Sequence, residues 1–306
     1  MNFFTFINFY VNIKLHLLQG VNQMKEKFKS ILAAIGYLLL VVVIQLITST
    51  IGGIILGILY GIKNSSGTNL DIDALTEFIL QNTNYILLAY SIFTVLILIL
   101  IYKLKKRNIK NELLVLKTRN SNLLIAILLG LSVWLVDSGA LGLVESSGIF
   151  QSAFDKFAET TSLLTEGSLF SAILAAGIIA PFAEEFLFRG VINRTLNRHF
   201  SIATAIIVQA VLFGIFHGNM IQGVYATFLG LVFGYITYKT KSLWPSVITH
   251  MINNIVAVTL PEILPSSIDT ILVCSIFLIL GIILTVLCIL FINKTSVKYD
   301  DSLSIN

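Results

Sequence analysis

The chain has 306 residues, 56% of them hydrophobic and only 12% charged, with a mean hydropathy of +0.91. That excludes a water-soluble globular fold, in which about 25% of residues are charged. The net charge of +4 is small; it suits contact with anionic lipid headgroups and gives no support for nucleic-acid binding.

In chain order, apolar stretches near spanning length, about 20 residues for a helix, run over 31–62, 84–102, 122–144, 168–188, 202–216, 220–238, 243–260 and 270–293. They predict an all-α fold, a polytopic membrane helical bundle of about eight transmembrane helices. The first stretch is too long for one upright span and is expected to tilt or to extend past the membrane. The fifth and seventh are short and interrupted by polar groups. One membrane domain over 31–293 is expected, after an N-terminal cytoplasmic segment, 1–30, and before a disordered cytoplasmic tail, 294–306. Met24, followed by Lys25, Glu26, Lys27 and Lys29 directly before the first span, reads as the initiator. The connections 63–83 and 145–167 read as short polar links.

Charge orients the bundle. The second connection holds Lys103, Lys105, Lys106, Arg107, Lys110, Lys117 and Arg119, whereas the first sets Lys63 against Asp71, Asp73 and Glu77. The third sets Lys156 against Glu145, Asp155, Glu159 and Glu166. By the excess of basic residues in cytoplasmic loops, the second connection and both termini face the cytoplasm. All but Lys63 and Lys156 of the 20 basic residues then lie inside. Cys274 and Cys288, fourteen residues apart on one predicted helix, are about 21 Å apart and cannot bridge.

Few ionisable groups fall at membrane depth: Asp137, Glu184, Glu185, Arg189, His217 and His250. An intramembrane carboxylate costs roughly 2.5 to 3.5 kcal/mol even on a lenient insertion scale and is by default functional. Glu184 and Glu185 follow sixteen uncharged residues, 168–183. On a helix Glu185 and Arg189 stack at i and i+4, while Glu184 points about 100° away. Glu184 is therefore the candidate general base and Glu185 the structural partner of Arg189. Pro181, one turn earlier, is expected to kink the helix and loosen its packing.

A turn near position 200 would set residue i opposite residue 401 minus i, which places Glu184 across from His217. Phe213 precedes His217 by one turn and is expected to fix its rotamer, and Gly214 and Gly218 admit close neighbours. On a later helix His250 and Asn254 share a face and offer two donors to a developing oxyanion. Asp137 reads as an isolated capped or solvated residue.

These three patterns, Glu184-Glu185-x-x-x-Arg189, Phe213-x-x-x-His217 and His250-x-x-x-Asn254, in this order over about 168–258, resemble the CPBP family of intramembrane proteases, which includes CAAX prenyl endopeptidases and bacteriocin-processing or immunity proteins. The resemblance implies eight helices around a cytoplasm-facing intramembrane cavity in a multi-pass protein of the cell membrane. It makes Glu184 catalytic, with Glu185 and Arg189 in support. His217 is implied to act on the water and His250 with Asn254 to bind the oxyanion, with Phe213 in the aromatic position. The implied activity is endopeptidase cleavage of a membrane-associated peptide or protein. A metal-free site is the favoured reading; a zinc site would use Glu184, His217 and His250. The rival reading is a non-catalytic membrane scaffold that regulates envelope proteins or confers bacteriocin immunity.

Overall fold

The computed structural model describes residues 3–64, 71–263 and 270–296, and among them all regular structure is helical. The elements are α1 (Phe3–Lys63), α2 (Ile72–Gln81), α3 (Thr83–Leu104), α4 (Ile109–Glu112), α5 (Asn120–Ser146) and α6 (Gln151–Thr165). They continue as α7 (Leu169–Leu196), α8 (Ile202–Phe216), α9 (Met220–Thr240), α10 (Trp244–Ile263) and α11 (Ile271–Thr295).

Each of the eight apolar stretches is helical, but only six helices among the described residues are long and apolar enough to cross a membrane: α1 from Gln19, α3, α5, α7, α9 and α11. The other two carry site residues. α8 has just 15 residues, and α10 is diluted by His250, Asn253, Asn254 and Glu262. The expected count of eight spans thus reduces to six by length and composition, with the polar groups of the site as one cause.

Two connections depart from the expectation of plain links. α2 is started by Asp71, whose side chain accepts from the Ala74 N–H, and α6 is held by buried Phe154 and by Phe157, which meets Tyr225 edge-on at 6.0 Å. Short helices capped by a polar side chain and fixed by one or two apolar anchors do not stand out from loops in composition. At the N-terminus, α1 is continuous from Phe3 through the first span, so residues 3–30 share its helix. Residues 297–306 of the predicted tail lie outside the described residues.

Close helix approach is made by small residues, as expected where lipid supplies no hydrophobic drive. Gly139 meets the Cys274 carbonyl and the Leu278 backbone, and Gly281 meets Val136 and the Ser132 carbonyl, which binds α5 to α11. Gly130 lies against Ile252, and the Thr249 hydroxyl donates to the Ala126 carbonyl, so α5 and α10 run in the same direction. α8 and α9 touch at Gly214 and Gly223, and again at Ala210 and Gly230. Cys274 and Cys288 are buried thiols.

The basic connection gathers at one end of the bundle. Glu112 pairs with Arg107 at 3.0 Å and Arg198 at 2.9 Å, and its carbonyl accepts from Arg194. The Ser242 hydroxyl donates to Leu116 and Arg119 donates to Thr295. α2 and α6 sit at the opposite end, where Asn84 donates to the Leu164 carbonyl.

Candidate active site

α7 carries the glutamates, and its pitch changes twice. It opens into wide, five-residue hydrogen-bonded turns over Ile173–Ile179 and Phe186–Ile192, with an ordinary α segment, Ala180–Glu185, between them. Such turns inside α-helices recur at functional sites. The first is matched to Pro181, whose ring would collide with the carbonyl four residues back and which has no N–H to donate. In this wide turn the Ala180 N–H donates to Ala175, five residues back. The next donor in that series would serve Ala176 and is missing, because residue 181 is proline. Asn254 fills the gap: its Nδ2 donates to the Ala176 carbonyl at 3.0 Å. The expected loosening beside Pro181 is thereby replaced by a tie to α10.

The hairpin between α7 and α8 keeps the expected register near its middle. Phe188 and Phe213, whose numbers sum to 401, meet edge-on at 4.9 Å between centroids. Glu184, however, is directed to α10: its Oε2 lies 3.8 Å from His250 Nε2, and no ion pair with His217 forms among the described residues. The second wide turn begins between Glu184 and Phe188 and shifts the phase of the side chains that precede it, so a constant 3.6-residue pitch mis-aims Glu184.

Glu185 is fully buried and holds two partners at one oxygen. Its Oε1 accepts from Arg189 NH1 at 2.7 Å and lies 3.0 Å from His250 Nδ1. The pairing with Arg189 is as expected, while the bond to His250 is a role the sequence reading did not give it. Arg189 is also fully buried, and its Nε and NH2 have no hydrogen-bond partner. Its guanidinium lies instead over the rings of Phe213, at 4.3 Å, and Phe233, at 5.0 Å, where the faces attract the cation. Phe213 also packs edge-on to His217 and to His250, so it joins the two histidines as well as fixing the first.

These contacts constrain the imidazole tautomers. His217 Nδ1 is 2.8 Å from the Phe213 carbonyl, which only accepts, so Nδ1 carries the hydrogen and Nε2 is an acceptor in the neutral ring. His250 Nδ1 faces a carboxylate and also carries hydrogen, so Nε2 can donate only when the ring is an imidazolium. Asn254 spends one amide hydrogen on Ala176 and accepts from Asn253 Nδ2 at its Oδ1. Its second amide hydrogen is the one available to a ligand.

The sequence reading missed two neighbours. Tyr90 of α3 lies within electrostatic reach of Glu184, and Tyr225 of α9 lies within reach of both Glu184 and Asp137. Asp137 is only 9% exposed, not solvated as expected. A tyrosine in an apolar span is ambiguous by composition, because it serves equally as packing.

Among the described residues no three His, Cys, Asp or Glu side chains converge as a metal-binding group. Glu184 and His250 face each other, while His217 packs edge-on against Phe213.

Residues 166–256 match the family described as type II CAAX prenyl endopeptidase Rce1-like. The seven residues of the three motifs, Glu184, Glu185, Arg189, Phe213, His217, His250 and Asn254, fall inside that stretch. That match supports the CPBP family for this segment. The chain also resembles the Bacillus subtilis (strain 168) protein named Putative membrane peptidase YdiL, at 28% identity over 82 residues. The alignment covers 27% of this chain and 34% of that protein, about a third of the relative's length. No solved structure matches. Family match and relative both point to a membrane protease, and the matched stretch coincides with α7 to α10, where Glu184, Glu185 and His250 meet.

Proposed function

We propose that this protein is an intramembrane endopeptidase that hydrolyses a peptide bond of a membrane-associated peptide or protein with Glu184 as general base. The observation that carries it is the placement of Glu184 beside His250 while Glu185 is spent on Arg189 and His250 Nδ1. One carboxylate is bound up in structure and its neighbour, with a side chain 17% exposed, is left to react.

In this reading Glu184 and the acceptor Nε2 of His217 hold the attacking water, and Glu184 removes its proton. The peptide carbonyl then develops negative charge. His250, held at Nδ1 by Glu185, donates from Nε2 to the oxyanion, and the second amide hydrogen of Asn254 joins it. Glu184 returns its proton to the leaving amine. Phe213 and the Arg189–Glu185 pair hold the two rings apart in a low-dielectric setting. No step requires a metal. The basic end, with Arg107, Arg194 and Arg198, faces the cytoplasm in this reading, and the substrate enters from that half of the bilayer.

The test compares membrane-associated peptides from cells that carry wild-type protein, Glu184→Gln, or neither, beside complementation of any phenotype. The expected result is a peptide species that depends on wild-type protein and is lost with Glu184→Gln. Identical peptides and full complementation by Glu184→Gln would leave a scaffold role in its place.

A further inference from the structure

A buried catalytic water must be replaced at every turnover, and one carboxylate outside the site just described is placed to help. Asp137 lies within α5, is 9% exposed, and makes no ion pair among the described residues. Its Oδ2 is buried without a hydrogen-bond partner. An orphaned buried carboxylate oxygen costs several kcal/mol unless water or a partner satisfies it, so its retention inside an apolar helix calls for a use.

Helix register shows where it stands. α5 runs parallel to α10, with Ala126 beside Thr249 and Gly130 beside Ile252. α9 runs antiparallel to α10, with Thr237 bonded to Ser246 and Phe233 against His250. From the Phe233–His250 level to Tyr225 is about 12 Å of helix, directed away from the basic end. Asp137, beyond Gly130 on α5, advances in the same direction. At that level Tyr225 lies within electrostatic reach of both Asp137 and Glu184. Phe157 of α6 closes over the Tyr225 ring.

We infer that Asp137 and Tyr225 form a polar file that conducts water to Glu184 from the end of the bundle opposite the basic connection. The inference rests on the peptidase reading for its use, since it supplies the water that Glu184 activates. Asp137 is here a positioning residue that holds water by its carboxylate. The Tyr225 hydroxyl, able to donate and accept, hands water on toward Glu184. Substrate and water then approach from opposite ends, and the peptide does not block the supply of its own co-substrate.

X-ray radiolytic footprinting of the protein in lipid nanodiscs tests this without a substrate, because hydroxyl radicals label side chains that touch water. Tyr225 should be labelled at least tenfold faster than fully buried Phe188, and Asp137→Leu should lower Tyr225 labelling severalfold while that of exposed Tyr85 stays unchanged. Asp137→Asn, polar and of the same shape, should retain most of it. Labelling of Tyr225 no faster than that of Phe188 overturns the file even if no variant folds, and equal labelling in Asp137→Leu and wild type removes Asp137 from it. In cleavage assays Asp137→Leu should lower kcat about tenfold with KM unchanged. A dry variant with wild-type kcat would sever the file from catalysis, whereas loss of the peptidase reading itself is read separately from Glu184→Gln.

Discussion

The Asn254 side chain gives Ala176 the hydrogen bond that Pro181 withholds. The wide turn at Ile173–Ile179 leaves one carbonyl with no backbone donor, and an amide from α10 reaches it at 3.0 Å. This ties the helix of the glutamates to the helix of His250 and leaves Asn254 one amide hydrogen for chemistry. Losing a buried hydrogen bond of this kind costs about 1 to 3 kcal/mol. Asn254→Ala should therefore lower thermal stability as well as activity. Pro181→Ala restores an N–H at position 181, and the two substitutions together should destabilise by less than the sum of the singles. Thermal unfolding of the four proteins in one detergent checks this, and strict additivity would remove Asn254 from the structural role.

Glu185 and Glu184 should separate by what they break. Arg189 is fully buried with Glu185 as its ion-pair partner, so Glu185→Ala strands a guanidinium in the core, at a cost of about 3 to 5 kcal/mol. It also releases His250 Nδ1, so residual activity should vanish along with stability. Arg189→Lys should not retain the wild-type protein's stability, because an ammonium does not reproduce the flat guanidinium that lies over Phe213 and Phe233. Glu184→Gln removes no bond of that kind and should unfold within about 1 kcal/mol of wild type, in the range of ordinary substitutions outside packed networks, while cleavage is lost. Unfolding midpoints and cleavage of the same preparations decide the matter.

What the sequence made legible were features that depend on composition and regular pitch. All eight apolar stretches are helical, Glu185 pairs with Arg189 at i+4, and the hairpin register holds at Phe188 and Phe213. What escaped were departures from regularity. The wide turns of α7 change the direction of Glu184 and cannot be seen in hydropathy, and the hydrogen bond from Asn254 to Ala176 spans 78 residues. Asp137 read as capped or solvated because its burial is decided by helices distant in sequence, not by its own. The amphipathic helices α2 and α6 were hidden in polar connections for a similar reason: each is too short to be stable alone and forms on contact with its neighbours.

Gly214 sits where α8 meets α9, and a Cβ there would run into the Thr227 hydroxyl and the Gly223 carbonyl. The carbonyl belongs to backbone and cannot step aside as a flexible side chain would. Gly214→Ala should therefore push α8 away from α9 and destabilise by about 1 to 3 kcal/mol. His217 lies one turn further along α8, so cleavage should fall beyond what the fraction of folded protein explains. Gly218→Ala is a useful contrast: open space surrounds its Cβ position, but its φ is +67°, so the effect should come from backbone strain of about 1 kcal/mol. Unfolding curves paired with cleavage rates distinguish the two.

Metal dependence follows from the same arrangement. His217 is held at Nδ1 by the Phe213 carbonyl and His250 at Nδ1 by Glu185, and among the described residues no metal-binding trio forms. A zinc enzyme would need Glu184, His217 and His250 to converge at about 2 Å from the ion. Cleavage by purified protein should therefore survive prolonged chelation, with metal well below one equivalent by elemental analysis. Chelation that abolishes cleavage, reversed by added zinc, would show that the helices rearrange around an ion and that His217 swings past Phe213 to reach it.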